Sequence, residues 1–468
     1  MKEKSSRGRK SSRWRKNNAK RTSKFDLLGR IQRALGWLLP GLVVKRWMLT
    51  SGLGLIVALF GASIWADLRP IYWVIEGIFL LIGTITKFLP RSITGPIVFL
   101  VGISLLIWGQ SRSFKSIQNA IAPEKDDVLI DALRAKSKLN RGPNIVAIGG
   151  GTGLSALLQG LKRYSSRITA IVTVADDGGS SGILRRELGV QPPGDIRNCL
   201  AALSTEESLL TRLFQYRFSS GTGLVGHSFG NLFLSALTSI TGNLETAITA
   251  SSRVLAVQGQ VVPATNADVR LWAELENGER IEGESAIGNV RSPIIRIGCY
   301  PEQPPALPSA IEAIENAELI VLGPGSLYTS LLPNLLVPEI VEAIQRSKAP
   351  KLYICNLMTQ PGETDGLDLA GHIRAIEAQL ASFGVTRRIF NSILAQKELP
   401  PSALLEYYLS RGAEPVICDW NRLRSQGYRL FKASLQESKI ISKSVLRHDP
   451  RKLSLAVMRF YKKYKRDA

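Results

Sequence analysis

The stretch Ile145–Leu161, IVAIGGGTGLSALLQGL, decides how the chain is read. A short apolar run enters three consecutive glycines, and a segment with apolar residues at helical spacing leaves them. Strand, glycine turn and helix in that order open a doubly wound nucleotide-binding fold. Gly151-Thr152-Gly153-Leu154-Ser155-Ala156 fits the G-x-G-x-x-G/A spacing of its first turn. Glycine allows main-chain angles closed to other residues and lets a phosphate approach the backbone. The helix that follows offers unpaired N–H groups and the positive end of its dipole. No Gly-Lys-Ser/Thr follows, so this is not a P-loop. Asp176 falls about 20 residues after Ala156, where dinucleotide folds place a ribose-binding acid, so NAD is the first expectation from spacing.

The next turn argues against NAD. In VTVADDGGSSG (172–182) two acids, Asp176 and Asp177, precede glycines and the pair Ser180 and Ser181. Adjacent acids at a strand end suit Mg2+ or sugar hydroxyls, and the serines can donate to phosphate. PPGDIRNCL (192–200) puts Asp195, Arg197 and Asn198 at a helix start, and GHSFGNL (226–232) groups His227, Ser228 and Asn231 between glycines. LGPGSLYTSLLPN (322–334) is another strand followed by a glycine turn, with Gly323, Gly325 and Ser326. Turns of this kind converge at the carboxyl edge of one parallel sheet, where ligands bind in open α/β folds. Strands are expected in NIVAIGG, RITAIVTVA, AELIVLGPG and KLYICNL, alternating with helical patterns such as GNLFLSALTSI and SALLEYYLSRG. That alternation implies a mainly parallel sheet covered on both faces, a Rossmann-like α/β architecture over 143–445. In the segment 268–287, ENGE reads as a hairpin turn.

The 468 residues carry a net charge of +22, unevenly spread. Residues 1–46 form a basic arm, and 446–468, ending RFYKKYKRDA, read as a basic tail. Such segments meet polyanions. Three apolar runs follow the arm, at 47–65, 71–89 and 93–109; the first and third are uncharged, and the middle one holds Glu76 and Lys87. Runs of 19 and 17 uncharged residues approach the length that crosses a bilayer, with Trp and Tyr at their ends. The neighbouring apolar runs make anionic lipid, rather than nucleic acid, the expected partner of the arm. Basic flanks on both sides, the arm and QSRSFK after Gly109, imply an even number of crossings, preferentially two. The expected layout is a multi-pass inner-membrane protein with transmembrane helices in 47–110, a linker at 111–142 and a cytoplasmic main domain. Four dispersed cysteines without a CxxC pair exclude a disulfide framework or a zinc site and suit a reducing compartment.

Taken together, IGGGTGLS, TVADDGGSSG, PPGDIRNCL, GHSFGNL and GPGSLYTS resemble, in order, the motifs of the YvcK-like branch of the CofD-like family, often called gluconeogenesis factors. The resemblance spans roughly 144–440. It implies a Rossmann-like fold that binds UDP-sugars, notably UDP-N-acetylglucosamine, and a regulatory role in carbon metabolism, cell-wall precursor supply and cell shape. The CofD branch instead transfers a phospholactyl group from a guanosine diphosphate carrier to a deazaflavin with Mg2+. Carried over by motif, Gly149, Gly150, Gly151, Thr152 and Gly153 would face phosphates or nucleoside. Asp176 and Asp177 match the acids that serve metal or acceptor in the transferases; Asn231 and Ser326 would complete the pocket. DDGGSSG followed by PPGDIRN resembles the YvcK-like branch, so the expectation is a ligand-binding regulator that requires no cofactor, with Mg2+ as the candidate metal. His227 is the general-base candidate by chemistry alone. An envelope-synthesis protein and a second copy of the chain are further candidate partners. Compact relatives begin near the glycine strand, and the resemblance says nothing of the 140 or so residues before it.

Overall fold

A computed structural model describes residues 136–205, 209–290, 292–437 and 446–467, together with parts of 54–109. The chain divides into two units, Met1–Glu124 and Lys125–Ala468, with the division inside the expected linker. In the first unit, helix α1 (Arg69–Thr86) exposes Tyr72, Trp73, Phe79 and Leu80. Among the described residues no single helix is long and apolar enough to cross a membrane. The basic arm, most of the run at 47–65 and part of that at 93–109 lie outside the described residues.

The second unit is built on a seven-stranded sheet ordered β10-β9-β8-β7-β1-β2-β3, every pair parallel. Its strands are β1 (Ile145–Gly149), β2 (Ile168–Val172), β3 (Gln260–Pro263), β7 (Leu319–Leu322), β8 (Lys351–Ile354), β9 (Ser392–Gln396) and β10 (Arg429–Ala433). The four expected strand runs are β1, β2, β7 and β8. β1 and β7 are buried at every residue, as continuous apolar runs in a doubly covered parallel sheet must be. The chain adds β2 and β3 on one side of β1, then returns to lay β7 on its other side. That reversal leaves a crevice at the carboxyl ends of β1 and β7. Between β3 and β7 the chain forms a separate antiparallel sheet, β5-β4-β6, from β4 (Arg270–Leu275), β5 (Arg280–Glu282) and β6 (Ile294–Tyr300). The hairpin turn falls at ENGE, with Gly278 at φ +81°.

Five helices flank the crevice's first half: α2 (Gly151–Leu161), α3 (Gly179–Leu188), α4 (Gly194–Leu203), α5 (Leu209–Phe214) and α6 (Phe229–Thr241). The segment read from its charge as a tail differs from that reading. Pro450–Asp467 is a helix that buries Leu453, Val457, Met458, Phe460 and Tyr461 and leaves Arg459, Lys462 and Lys463 exposed. Its apolar residues recur at the helical period between the charges, a pattern that composition hides. It packs on α2, where a Cβ on Gly160 would run into the Pro450 carbonyl and the Ser454 side chain. Gly160→Val is therefore expected to force the two helices apart and lower the urea-unfolding free energy by about 1–3 kcal/mol. An unchanged unfolding midpoint would show that this contact does not hold the helices together.

Candidate functional site

Two glycine turns meet at the crevice. β1 ends at Gly149; Gly150 is extended at φ −170° and Gly151, at φ +67°, starts α2. A Cβ on Gly150 would stand 2.5 Å from Asp195 Oδ2, and one on Gly153 2.6 Å from the Pro324 carbonyl. Both positions need glycine because protein fills the space a side chain would take. After β7, Gly323 adopts φ +77°. Asn356 clamps the next glycine: its Oδ1 accepts from Gly325 N at 3.3 Å and its Nδ2 donates to Gly325 O at 2.9 Å. Asn334 Nδ2 donates to Gly149 O at 3.1 Å and to Ser330 O at 2.8 Å, so both turns are tied to the segment after β7.

Over these turns lies a cleft of about 1150 Å³. Gly151, Thr152, Gly153, Asn198, Gly325 and Ser326 line it, as expected from their motifs. Gly149, Gly150 and Gly323 shape the turns from behind. Arg197, Arg212 and Arg447 also face the cleft, as does Lys162, whose Nζ donates to Ser204 O at 2.6 Å. Among the described lining residues Glu437 is the one acid. The cleft is thus a cationic, glycine-floored trough, suited to a polyphosphate.

The other expected residues stand behind this trough. Ser180 Oγ and His227 Nδ1 lie 3.0 Å apart. Asn231 Nδ2 donates to Ser180 Oγ at 3.1 Å and to Ser181 Oγ at 3.4 Å. Ser228 caps α6 by accepting from Asn231 N. Arg197 joins the two regions: it donates to Ser228 Oγ, to Asn231 Oδ1 at 3.1 Å and to Asn198 Oδ1 at 2.9 Å. Burial, and then the nearby Arg217, lower its pKa from the usual guanidinium value. His227, Ser228 and Asn231 are buried, and together they aim a cation at the cleft.

A group of acids gathers beyond. Asp176 Oδ1 accepts from Gly178 N at 3.0 Å, and Asp177 Oδ1 from Ser285 N at 2.8 Å in the inserted segment. Asp195, at the start of α4, is raised to about 6, first by desolvation and then by Asp176, against a lowering hydrogen bond from the Gly151 backbone. Glu284 is raised to about 8 by desolvation and by Asp176, Asp177, Asp195 and Glu363. Glu363 is raised to about 7 by desolvation, with a hydrogen bond from Thr329 opposing. Among the described residues no three acids, histidines or cysteines converge as a metal-binding group. The two neighbouring aspartates engage different elements, α3's leading loop and the insertion.

Sequence reasoning placed Asp195 and Arg197 at a helix start without a site role, and it missed Glu284, Asn356, Gln360 and Glu363. Glu284 lies in the insertion, and the others in NLMTQPGETDG, whose glycines signal a turn but not its direction.

Residues 145–436 match the model of the family described as 2-phospho-L-lactate transferase CofD. A protein of Nostoc sp. is 54% identical over 433 residues, covering 92% of this chain and 93% of its own length. That match extends well into the region before β1. The gluconeogenesis factor of Bacillus subtilis is 48% identical over 312 residues, covering 67% of this chain and 96% of its own length. A crystal structure of a Bacillus halodurans protein covers 68% of this chain and 100% of its own at 48% identity, with a TM-score of 0.64. The chain therefore belongs to the gluconeogenesis-factor family and carries that family's CofD domain over residues 145–436.

Proposed function

We propose that the cleft binds a nucleoside-diphosphate sugar, of the UDP-N-acetylglucosamine class, and that the protein is a regulator of carbon metabolism, cell-wall precursor supply and cell shape. One observation carries the reading: the cleft at the β1/β7 reversal is floored by two glycine turns and walled by Arg197 and Arg212, with the carboxylate group excluded from its lining. A diphosphate would lie over Gly151–Gly153 with its charge met by the arginines. The volume leaves room for a nucleoside and a hexose. A binding role is supported by the position of His227, buried behind Arg197 rather than lining the cleft.

A second reading, a CofD-like transferase, draws on the family model and on the acids next to the cleft. Mg2+ would there be held sparsely, by the remaining oxygens of Asp176 or Asp177 with phosphate oxygens and waters. Bound Mg2+ would neutralise phosphate charge during transfer.

The basic arm and apolar runs support tethering to the inner membrane, with the arm on anionic lipid. The exposed apolar side chains of α1 suit that environment.

Calorimetric titration with UDP-N-acetylglucosamine, against NAD and GTP, tests the first reading. Thr152→Ala and Arg212→Ala should each weaken saturable binding about tenfold. Binding of NAD or GTP in place of the UDP-sugar would sink it, and Mg2+-dependent turnover of a guanosine-carried phospholactyl substrate would establish the transferase. On cell fractionation the protein should stay with inner membranes through a high-salt wash; release into the wash would reject the membrane-spanning part of the proposal. Asp195 supplies a pH signature. Its folded pKa of about 6 lies above the unfolded value, so the native state holds an extra proton between them. That stability is present at pH 4 and is lost as the pH rises through 6, about 2–3 kcal/mol. Asp195→Asn, which keeps an acceptor for Gly151 N–H, should flatten this part of the stability profile; a profile identical to that of the unaltered protein would refute the assignment.

A further inference from the structure

Three polar side chains on the β7 wall of the cleft are hydrogen-bonded in series. Ser326 Oγ donates to Gln360 Oε1 at 2.6 Å, and Gln360 Nε2 donates to Glu363 Oε1 at 2.9 Å. Thr329 Oγ1 donates to the same carboxylate oxygen at 2.8 Å. Ser326 and Gln360 line the cleft, and Glu363 lies behind them at 4% exposure. Its other oxygen, Oε2, is buried without a hydrogen-bond partner.

The polarity of this series follows from what each group can do. Oε1 of Glu363 accepts, so Gln360 must turn its NH2 toward Glu363 and its carbonyl toward Ser326. A carbonyl has no proton to give, so the single proton of Ser326 goes to Gln360. Either protonation state of Glu363 preserves the order, because the partnerless Oε2 is the oxygen left to carry a proton. Turning the Ser326 proton toward a ligand would strand the Gln360 carbonyl, which opposes that turn. Toward the cleft, Ser326 therefore offers lone pairs only.

We infer that Glu363, acting through Gln360, makes Ser326 an acceptor-only group, so that this wall reads a ligand hydroxyl or imide N–H and turns away phosphate. The inference rests on the nucleotide-sugar reading of the cleft. Fully ionised phosphate oxygens only accept, and so have nothing to give Ser326. Ribose and hexose hydroxyls and the uracil N3–H all donate. The diphosphate is left to the turn before α2 and to Arg197, while the β7 wall takes the nucleoside or the sugar. Glu363 is in this scheme a positioning residue, and Ser326 the contact that determines specificity.

The test is calorimetry at pH 8 on the full chain with two probes, UDP-N-acetylglucosamine and inorganic pyrophosphate. Ser326→Ala should lower UDP-N-acetylglucosamine affinity about tenfold and leave pyrophosphate affinity within about twofold. Glu363→Leu removes the acceptor that holds the Gln360 NH2, so Gln360 can turn that NH2 toward Ser326 and free the Ser326 proton. It should cause a similar selective loss, and no further loss when added to Ser326→Ala. Equal weakening of both probes by Ser326→Ala, or fully additive losses in the double variant, overturns the inference alone. Failure of the unaltered protein to bind UDP-N-acetylglucosamine, with or without pyrophosphate binding, overturns the nucleotide-sugar reading and this inference with it. Should Glu363→Leu not fold, the split between probes in Ser326→Ala, a small cleft-facing change, decides.

Discussion

The close approach of two main chains at the centre of the sheet governs the rest of the second unit. Gly153 lies so near the Pro324 carbonyl that a β-carbon there would stand 2.6 Å from it. β1 and β7 are neighbours because the chain reverses its direction of strand addition between them, and the two turns that follow must share one space. Asn334 and Asn356 exist in that setting to satisfy backbone groups that neither strand nor helix can reach. A floor made of backbone, with side chains kept out, suits a phosphate-bearing ligand.

Charge is then sorted around this floor. The arginines stand on the cleft side and the acids on the other, with the Ser180–His227–Asn231 group between them. Arg197 spans the divide, since its hydrogen bonds go to neutral oxygens of Ser228, Asn231 and Asn198 rather than to a carboxylate. A carboxylate partner would have cancelled its charge before any ligand arrived. A neutral scaffold orients the guanidinium and leaves the charge available. Burial raises the pKa of Asp195, Glu284 and Glu363, and repulsion from neighbouring acids adds to it at Asp195 and Glu284.

Much of this was legible in the sequence, because glycine turns after apolar strands have few uses. β1, β2, β7 and β8, the turn at Gly151–Gly153 and the one at Gly323–Ser326 all follow from local pattern. What failed to read were relations between distant segments. Glu284 reaches the acids because β4 and β5 form a hairpin that brings residue 284 back beside Asp177, whose Oδ1 accepts from Ser285 N. Gln360 and Glu363 matter only once β8 lies beside β7. Ser180, Ser181 and Asn231, read from the motifs as ligand contacts, are hydrogen-bonded to one another in a buried group, and Asn231 also accepts from Arg197. The C-terminal helix was concealed by its own lysines, since net charge averages over the face that is buried.

The same helix bears on the order of events during synthesis. α2, the first helix of the domain, packs on Pro450–Asp467, the last helix of the chain. The turn that floors the cleft thus gains its outer support only after residues 450–467, about 300 positions later, have left the ribosome. A chain cut before residue 450 would carry both glycine turns without the helix that backs the first of them.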